Sequence, residues 1–121
     1  MSVNNNNTDS GHRTNADHIK SVQEKIPGDR YLDAMSQFFS MLSDPTRLKI
    51  VVVLKMAELC VQEISETINL SASAVSHQLR LLKTAKLVRS RRAGKMIYYA
   101  LDDDHISQLL SIANSHINEE K

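Results

Sequence analysis

Tryptophan is absent from these 121 residues, and three Tyr and two Phe are the only aromatic side chains. A core must therefore be filled by Leu, Ile, Val and Met. A small domain with so few large rings gains from burying a further face against a second copy of itself. A single cysteine, Cys60, excludes an intrachain disulfide. No apolar run approaches the roughly 20 residues that a bilayer-spanning helix needs. The polar, Asn-rich start has no signal-peptide core. These features lead us to expect a cytoplasmic protein with no membrane partner. The most informative absence is local. Between Ser71 and Leu101 there is no Asp or Glu, while Arg80, Lys83, Lys86, Arg89, Arg91, Arg92 and Lys95 supply seven cations. The whole chain carries +1, so the remainder carries −6. One block of positive potential on a near-neutral chain points to a polyanion partner.

Hydrophobic spacing organises that block. Val61–Ile68 is a short amphipathic segment, Asn69-Leu70-Ser71 breaks it, and Ser71–Lys86 resumes a helical period. Val88–Leu101 then alternates about Gly94-Lys95, a two-residue turn with glycine first, as a type II′ hairpin prefers. Helix, tight break, helix and hairpin predict a winged helix-turn-helix, mainly α with a small β-hairpin. Upstream, Asp44-Pro45 predicts a helix over Pro45–Met56. Its Leu48, Ile50, Val51, Val53 and Leu54 are apolar on most sides, which places it at the centre of the domain. Asp29 caps a helix over Arg30–Leu42 whose Leu32, Met35, Phe38, Phe39 and Leu42 form one core stripe. Ala16–Ile26 is a further helix, ended by Pro27-Gly28. Residues 1–15 read as a disordered polar tail and residues 16–121 as one domain.

The second helix of the pair divides into two faces. Ser71 caps it, and Ala74, Val75, Leu79 and Leu82 point inward. Ser73, Ser76, His77, Gln78, Arg80 and Lys83 are left for the outer face and first turn, which in helix-turn-helix proteins meet base edges and phosphates of double-stranded DNA. Gln78 suits an adenine edge. Arg89, Arg91 and Lys95, with Arg92 beside them, are expected to project from the wing toward the phosphate backbone.

These residues carry a resemblance. Leu42-Ser43-Asp44-Pro45-Thr46-Arg47-Leu48-Lys49-Ile50, Glu58-Leu59-Cys60-Val61, Ser71-Ala72-Ser73-Ala74-Val75-Ser76-His77-Gln78-Leu79, Leu87-Val88, Gly94 with Tyr98-Tyr99, and the set Asp103, His105, His116 and Glu119 resemble the ArsR/SmtB family of metal-responsive repressors, its zinc-sensing SmtB-like branch in particular. The resemblance spans roughly residues 30 to 120. It implies a homodimer that binds an operator inverted repeat when metal-free and releases it when metal binds. It also implies that His116 donates to a backbone carbonyl near Lys86. Many relatives carry Cys-x-Cys before the recognition helix; here the second position is Gln62, which puts soft-metal sensing there in doubt. A weaker second metal site from His12, His18, Cys60 and Glu63 remains open. The plain readings are solvated tail histidines and a small buried cysteine.

The last segment, Asp102–Glu120, reads as a helix capped by Asp102, with Ile106, Leu109, Leu110, Ala113 and Ile117 as a dimer-interface stripe. His105 and His116 are eleven residues apart and share a face, about 16–17 Å from one another along the axis. Each imidazole reaches roughly 6 Å from Cα to a metal, so one helix cannot hold one ion with both. The residue numbers of the pairs 105/116 and 103/119 sum to 221 and 222. One antiparallel register of two copies therefore sets Asp103 and His105 against His116 and Glu119, twice, with the two-fold axis near Leu110. Two imidazoles and two carboxylates suit tetrahedral Zn2+, or Co2+ in its place. Four ligands make a closed site, and no separate nucleophile or base is visible, so an enzyme is not expected. The alternative is a repressor of the same fold with another input, such as thiol oxidation at Cys60.

Overall fold

The computed structural model describes residues 14–119. The elements run α1 (Asn15–Gln23), α2 (Asp29–Ser43), α3 (Pro45–Met56), β1 (Leu59–Cys60), α4 (Val61–Ile68), α5 (Ala72–Thr84), β2 (Val88–Ala93), β3 (Met96–Leu101) and α6 (Asp104–Glu119). The chain forms two compact units, Met1–Met35 and Ser36–Lys121.

In the first unit, α1 begins one residue earlier than expected. The Thr14 hydroxyl accepts from the Asp17 N–H at 3.1 Å, and the Asp17 carboxylate accepts from the Thr14 N–H at 3.4 Å. This reciprocal cap draws Thr14 and Asn15 out of the tail and into the helix start. The helix ends at Gln23, three residues short of Ile26. The predicted disorder of residues 1–13 lies outside the described residues, and His12 with it. Ile19, Val22, Ile26, Tyr31, Leu32 and Met35 are all exposed.

The second unit is built round α3. Asp44 caps it, accepting from the Arg47 N–H at 3.0 Å, and Pro45 takes the first helical position, where a missing N–H costs nothing. Ile50, Val51 and Leu54 are buried against Ile64 of α4, Val75, Leu79 and Leu82 of α5, Leu87, Val88 and Leu101 around the hairpin, and Ile106 of α6. Full burial of each such side chain contributes about 1.5–3 kcal/mol. Phe38, Met41 and Leu42 of α2 lean on this core. Phe39 is exposed, as are Leu32 and Met35 of the first unit, so the α2 stripe is only partly a buried face. Ala74, expected inward, is exposed as well.

Ser71 caps α5 as expected, its hydroxyl accepting from the Ala74 N–H at 3.0 Å. The helix stops at Thr84 rather than Lys86. Lys86 adopts φ +63°, and the N–H groups of Lys86 and Leu87 turn back to the carbonyls of Lys83 and Leu82. That is a Schellman ending with lysine where glycine is usual. The hairpin turns at Gly94 (φ +65°), with Ala93 opposite Met96 and φ positive at the first turn residue alone, the type II′ signature. A short strand was missed from sequence. Leu59 and Cys60 pair with Tyr99 and Tyr98, which makes a three-stranded antiparallel sheet of order β1-β3-β2.

Candidate nucleic-acid interface and metal ligands

Helix α5 buries Val75, Leu79 and Leu82 and presents Ser73, His77, Arg80 and Lys83 to solvent. Ser76 and Gln78 sit half-buried between the two faces. The Gln78 carbonyl oxygen accepts from Arg47 Nη1 at 3.4 Å, while Arg47 Nε donates to the Met41 carbonyl at 3.0 Å. Arg47 therefore ties the end of α2 to α5 through α3, a role that the sequence reading did not assign to it. The contact also orients the amide of Gln78 at the edge of the outer face.

The hairpin sorts its cations by strand parity. Val88, Ser90 and Arg92 lie on one face of β2, and Arg89 and Arg91 on the other. Val88 is in the core with α5, and the Ser90 hydroxyl accepts from Lys83 Nζ at 2.7 Å, so the first face belongs to the recognition helix. Arg92 shares that face, and Lys95 occupies the tip. Arg89 and Arg91, both expected to reach for phosphates, have partners within the chain. Arg89 Nη1 donates to the carbonyls of Leu101 at 2.6 Å and Asp102 at 2.7 Å, which ties the foot of the hairpin to the approach to α6. Arg91 is held from the residue before β1: its Nε and Nη2 each donate at 2.8 Å to one carboxylate oxygen of Glu58, and its guanidinium lies 5.2 Å from the Tyr98 ring centroid. The hydrogen bond from Arg91 holds the Glu58 carboxyl below its usual range, against partial desolvation, with the charges of Arg91 and Arg89 acting in the same direction as the bond. The same bond raises Arg91.

The metal candidates fall at the two ends of α6. Asp103, not Asp102, is the capping residue: its Oδ1 accepts from the His105 N–H at 2.9 Å and lies 3.5 Å from His105 Nδ1. Partial desolvation would raise the Asp103 carboxyl, but the hydrogen bonds from the His105 backbone and ring outweigh it and hold the group below the ordinary value. Asp103 and His105, two of the four candidate ligands, are thus in contact within the chain. His116 and Glu119 line one open depression with Ser111, Ile112 and Ser115 near the other end. Among the described residues no group of three or more ligating side chains comes together within one copy.

The apolar stripe of α6 divides. Ile106 is buried in the core of its own copy, and Leu110 packs against that core. Ala113 and Ile117 line a groove with Leu48, Val52 and Met56 of α3. Only Leu109 of the predicted stripe approaches the histidine face, which holds His105, Leu109, Ile112, His116 and Glu119 at helical spacing. Ile112, 67% exposed at the middle of that face, was not singled out from sequence. Its signal was there: it falls seven residues after one histidine and four before the other. Of the second candidate site, Cys60 is 4% exposed, Glu63 spends its carboxylate on the Cys60 N–H at 3.0 Å, and His18 belongs to the first unit.

The family described as "Bacterial regulatory protein, arsR family" matches residues 44–90. The chain is 40% identical over 105 residues to a transcriptional repressor SmtB homolog of Synechocystis sp., covering 84% of this chain and 80% of that one. It is 43% identical over 104 residues to a cadmium resistance transcriptional regulatory protein CadC homolog of Staphylococcus aureus, covering 85% of each. Among solved structures, the homodimeric winged helix-turn-helix DNA-binding domain of a possible ArsR-family regulator from Mycobacterium bovis superposes with a TM-score of 0.71 at 25% identity, over 79% of this chain and 92% of that one.

Proposed function

The chain belongs to the arsR family of bacterial transcriptional regulators, and from that premise we propose that it is a repressor that holds operator DNA as a homodimer when metal-free and lets go when zinc, or a similar divalent ion, binds between the subunits. As a member of that family it is a metal-responsive, DNA-binding regulator with a winged helix-turn-helix, and not an enzyme. No helix among the described residues is long and apolar enough to cross a membrane. Operator DNA would place its work in the cytoplasm.

The observation that carries the zinc reading is the arrangement on α6. Asp103 and His105 meet at its first turn, and His116 and Glu119 share a depression near its end, on one face. With a second copy antiparallel, Asp103 and His105 would hold the ion with His116 of the partner subunit and Glu119 of the partner subunit. When bound, the ion would cross-link the two helices; an N2O2 donor set favours Zn2+ or Co2+ over softer ions. Within the chain, Ile106 and Leu110 of α6 share a core with Val75, Leu79 and Leu82 of α5, so a restraint on α6 is felt at the recognition helix. There Ser73, Ser76, His77 and Gln78 would face bases and nearby phosphates, while Ser71, Arg80, Lys83, Arg92 and Lys95 would hold the phosphate backbone.

The test is binding to duplexes selected from a random pool, with and without zinc. His105→Ala and His116→Ala should keep metal-free binding and lose release; Cys60→Ser should keep both. Loss of the response in Cys60→Ser with its retention in His116→Ala would sink the assignment. Thiol oxidation at Cys60 has less support, because the thiol is buried.

A further inference from the structure

The stretch from Ser71 to Leu101 contains no acid, yet the fold brings one to it. Glu58, immediately before β1, grips Arg91 with both carboxylate oxygens. Among the described residues this is the one ion pair between an acid and a cation of that stretch. We propose that Glu58 limits how tightly this protein holds DNA of any sequence, by keeping Arg91 away from phosphates.

The geometry supports withholding rather than delivery. The carboxylate occupies the Nε–Nη2 edge of the guanidinium, the edge that pairs best with a phosphate. Tyr98 covers one of its faces. Arg91 lies on the side of the hairpin opposite Ser90 and Arg92, away from α5. A phosphate taken there would not be fixed in register with the bases that α5 reads, so the contact would add affinity without discrimination. A repressor must find few sites among many competitors, and a cation that strengthens every complex alike adds nothing to that search. The pair is 57% exposed at Arg91 and 36% at Glu58, so phosphates can reach it and the competition is open. Removing the carboxylate charge would free one cation, steepening the salt dependence by about 0.9 in the log–log slope.

The inference rests on DNA binding, and random-sequence duplex suffices to test it. Anisotropy titrations of the full chain across about 50–200 mM salt read both affinity and slope. Glu58→Gln should bind more tightly at the low-salt end and lose about three- to fourfold more affinity than wild type over that range. Arg91→Ala alone bares the Glu58 carboxylate, so it should bind somewhat more weakly than wild type with the slope changed by well under about 0.9, and Glu58→Gln with Arg91→Ala, which removes both charges of the pair, should return to wild-type affinity and slope. A weaker or unchanged Glu58→Gln overturns the proposal. So does an Arg91→Ala variant whose slope flattens by about 0.9, because Arg91 would then be holding phosphate despite its partner. The Arg91→Ala measurement decides the matter even if Glu58→Gln fails to fold. A wild-type chain that binds no duplex would instead overturn DNA binding itself.

Discussion

Arg89 and Arg92 stand three positions apart in one strand, both exposed, with opposite fates. Arg89 bonds two backbone carbonyls, while no hydrogen bond or ion pair is made by the Arg92 or Lys95 side chain among the described residues. Arg92→Ala and Lys95→Ala should each flatten the salt dependence of DNA binding by about 0.9 and weaken binding to all sequences alike. Arg89→Ala should instead lower unfolding free energy by about 1–2 kcal/mol in urea and leave the slope unchanged; a flattened slope there would show that the tie to Leu101 and Asp102 breaks on DNA. The ion pair at Glu58 also has a pH signature. Its carboxyl is lowered in the folded chain from an ordinary value of 4.5. It therefore contributes stability that is complete above 4.5 and disappears as pH falls through the lower, folded value. Thermal midpoints of wild type and Glu58→Gln should differ near neutral pH and converge as the solution is acidified below 4.5. A gap that persists in strong acid would assign the effect to packing. The types of these residues, and their clustering, were legible from sequence. Their partners were not, because Glu58 and Arg91 are 33 positions apart and meet only across β1, β3 and β2.

At the scale of the element, α6 is the instructive case. Its helical period and the spacing of its histidines were legible from sequence, but its start at Asp104 and the burial of part of its apolar stripe in its own core were not. Five apolar residues at helical spacing were assigned to a partner, and the fold uses Ile106 and Leu110 for its own core. Amphipathic period identifies a stripe without saying what covers it. The two α6 copies should instead meet through the face of Leu109 and Ile112. Ile112→Glu sets two like charges near the proposed two-fold axis and should weaken the dimer, with operator affinity falling in step because both half-sites must be held at once. Sedimentation would check it; a dimer of unchanged stability would move the interface elsewhere. Ile106→Ala should leave that face intact and cost about 2–5 kcal/mol of folding stability through a core cavity. The helix start moved for a local reason. Asp102, Asp103 and Asp104 are all competent caps, and only the backbone decides that Asp103 meets the His105 N–H.

For the whole molecule, metal and DNA must report on each other. Coupling between such sites is typically about 1–3 kcal/mol, and it is reciprocal. Zinc that weakens operator binding by a given factor should itself bind more weakly, by the same factor, to the operator complex. Paired titrations, zinc into free and DNA-bound protein, would measure it; a zinc affinity that the operator leaves unchanged would show that the two sites are not coupled. Helices, hairpin and the basic stretch were set by local rules, since caps at Asp44 and Ser71, the turn at Gly94 and apolar spacing act over a few residues. So was the antiparallel pairing argument for α6, which needs only helical rise and the positions of four side chains. Tertiary structure decided what depends on distance: a two-residue strand that pairs nearly forty positions away, the face of β2 that belongs to the recognition helix, the arginines bonded to backbone and to Glu58, and the side of α6 that joins its own core. Local spacing restricts which residues can share a face. Which face is buried, and which cation is already matched, is fixed only when elements far apart in sequence come into contact.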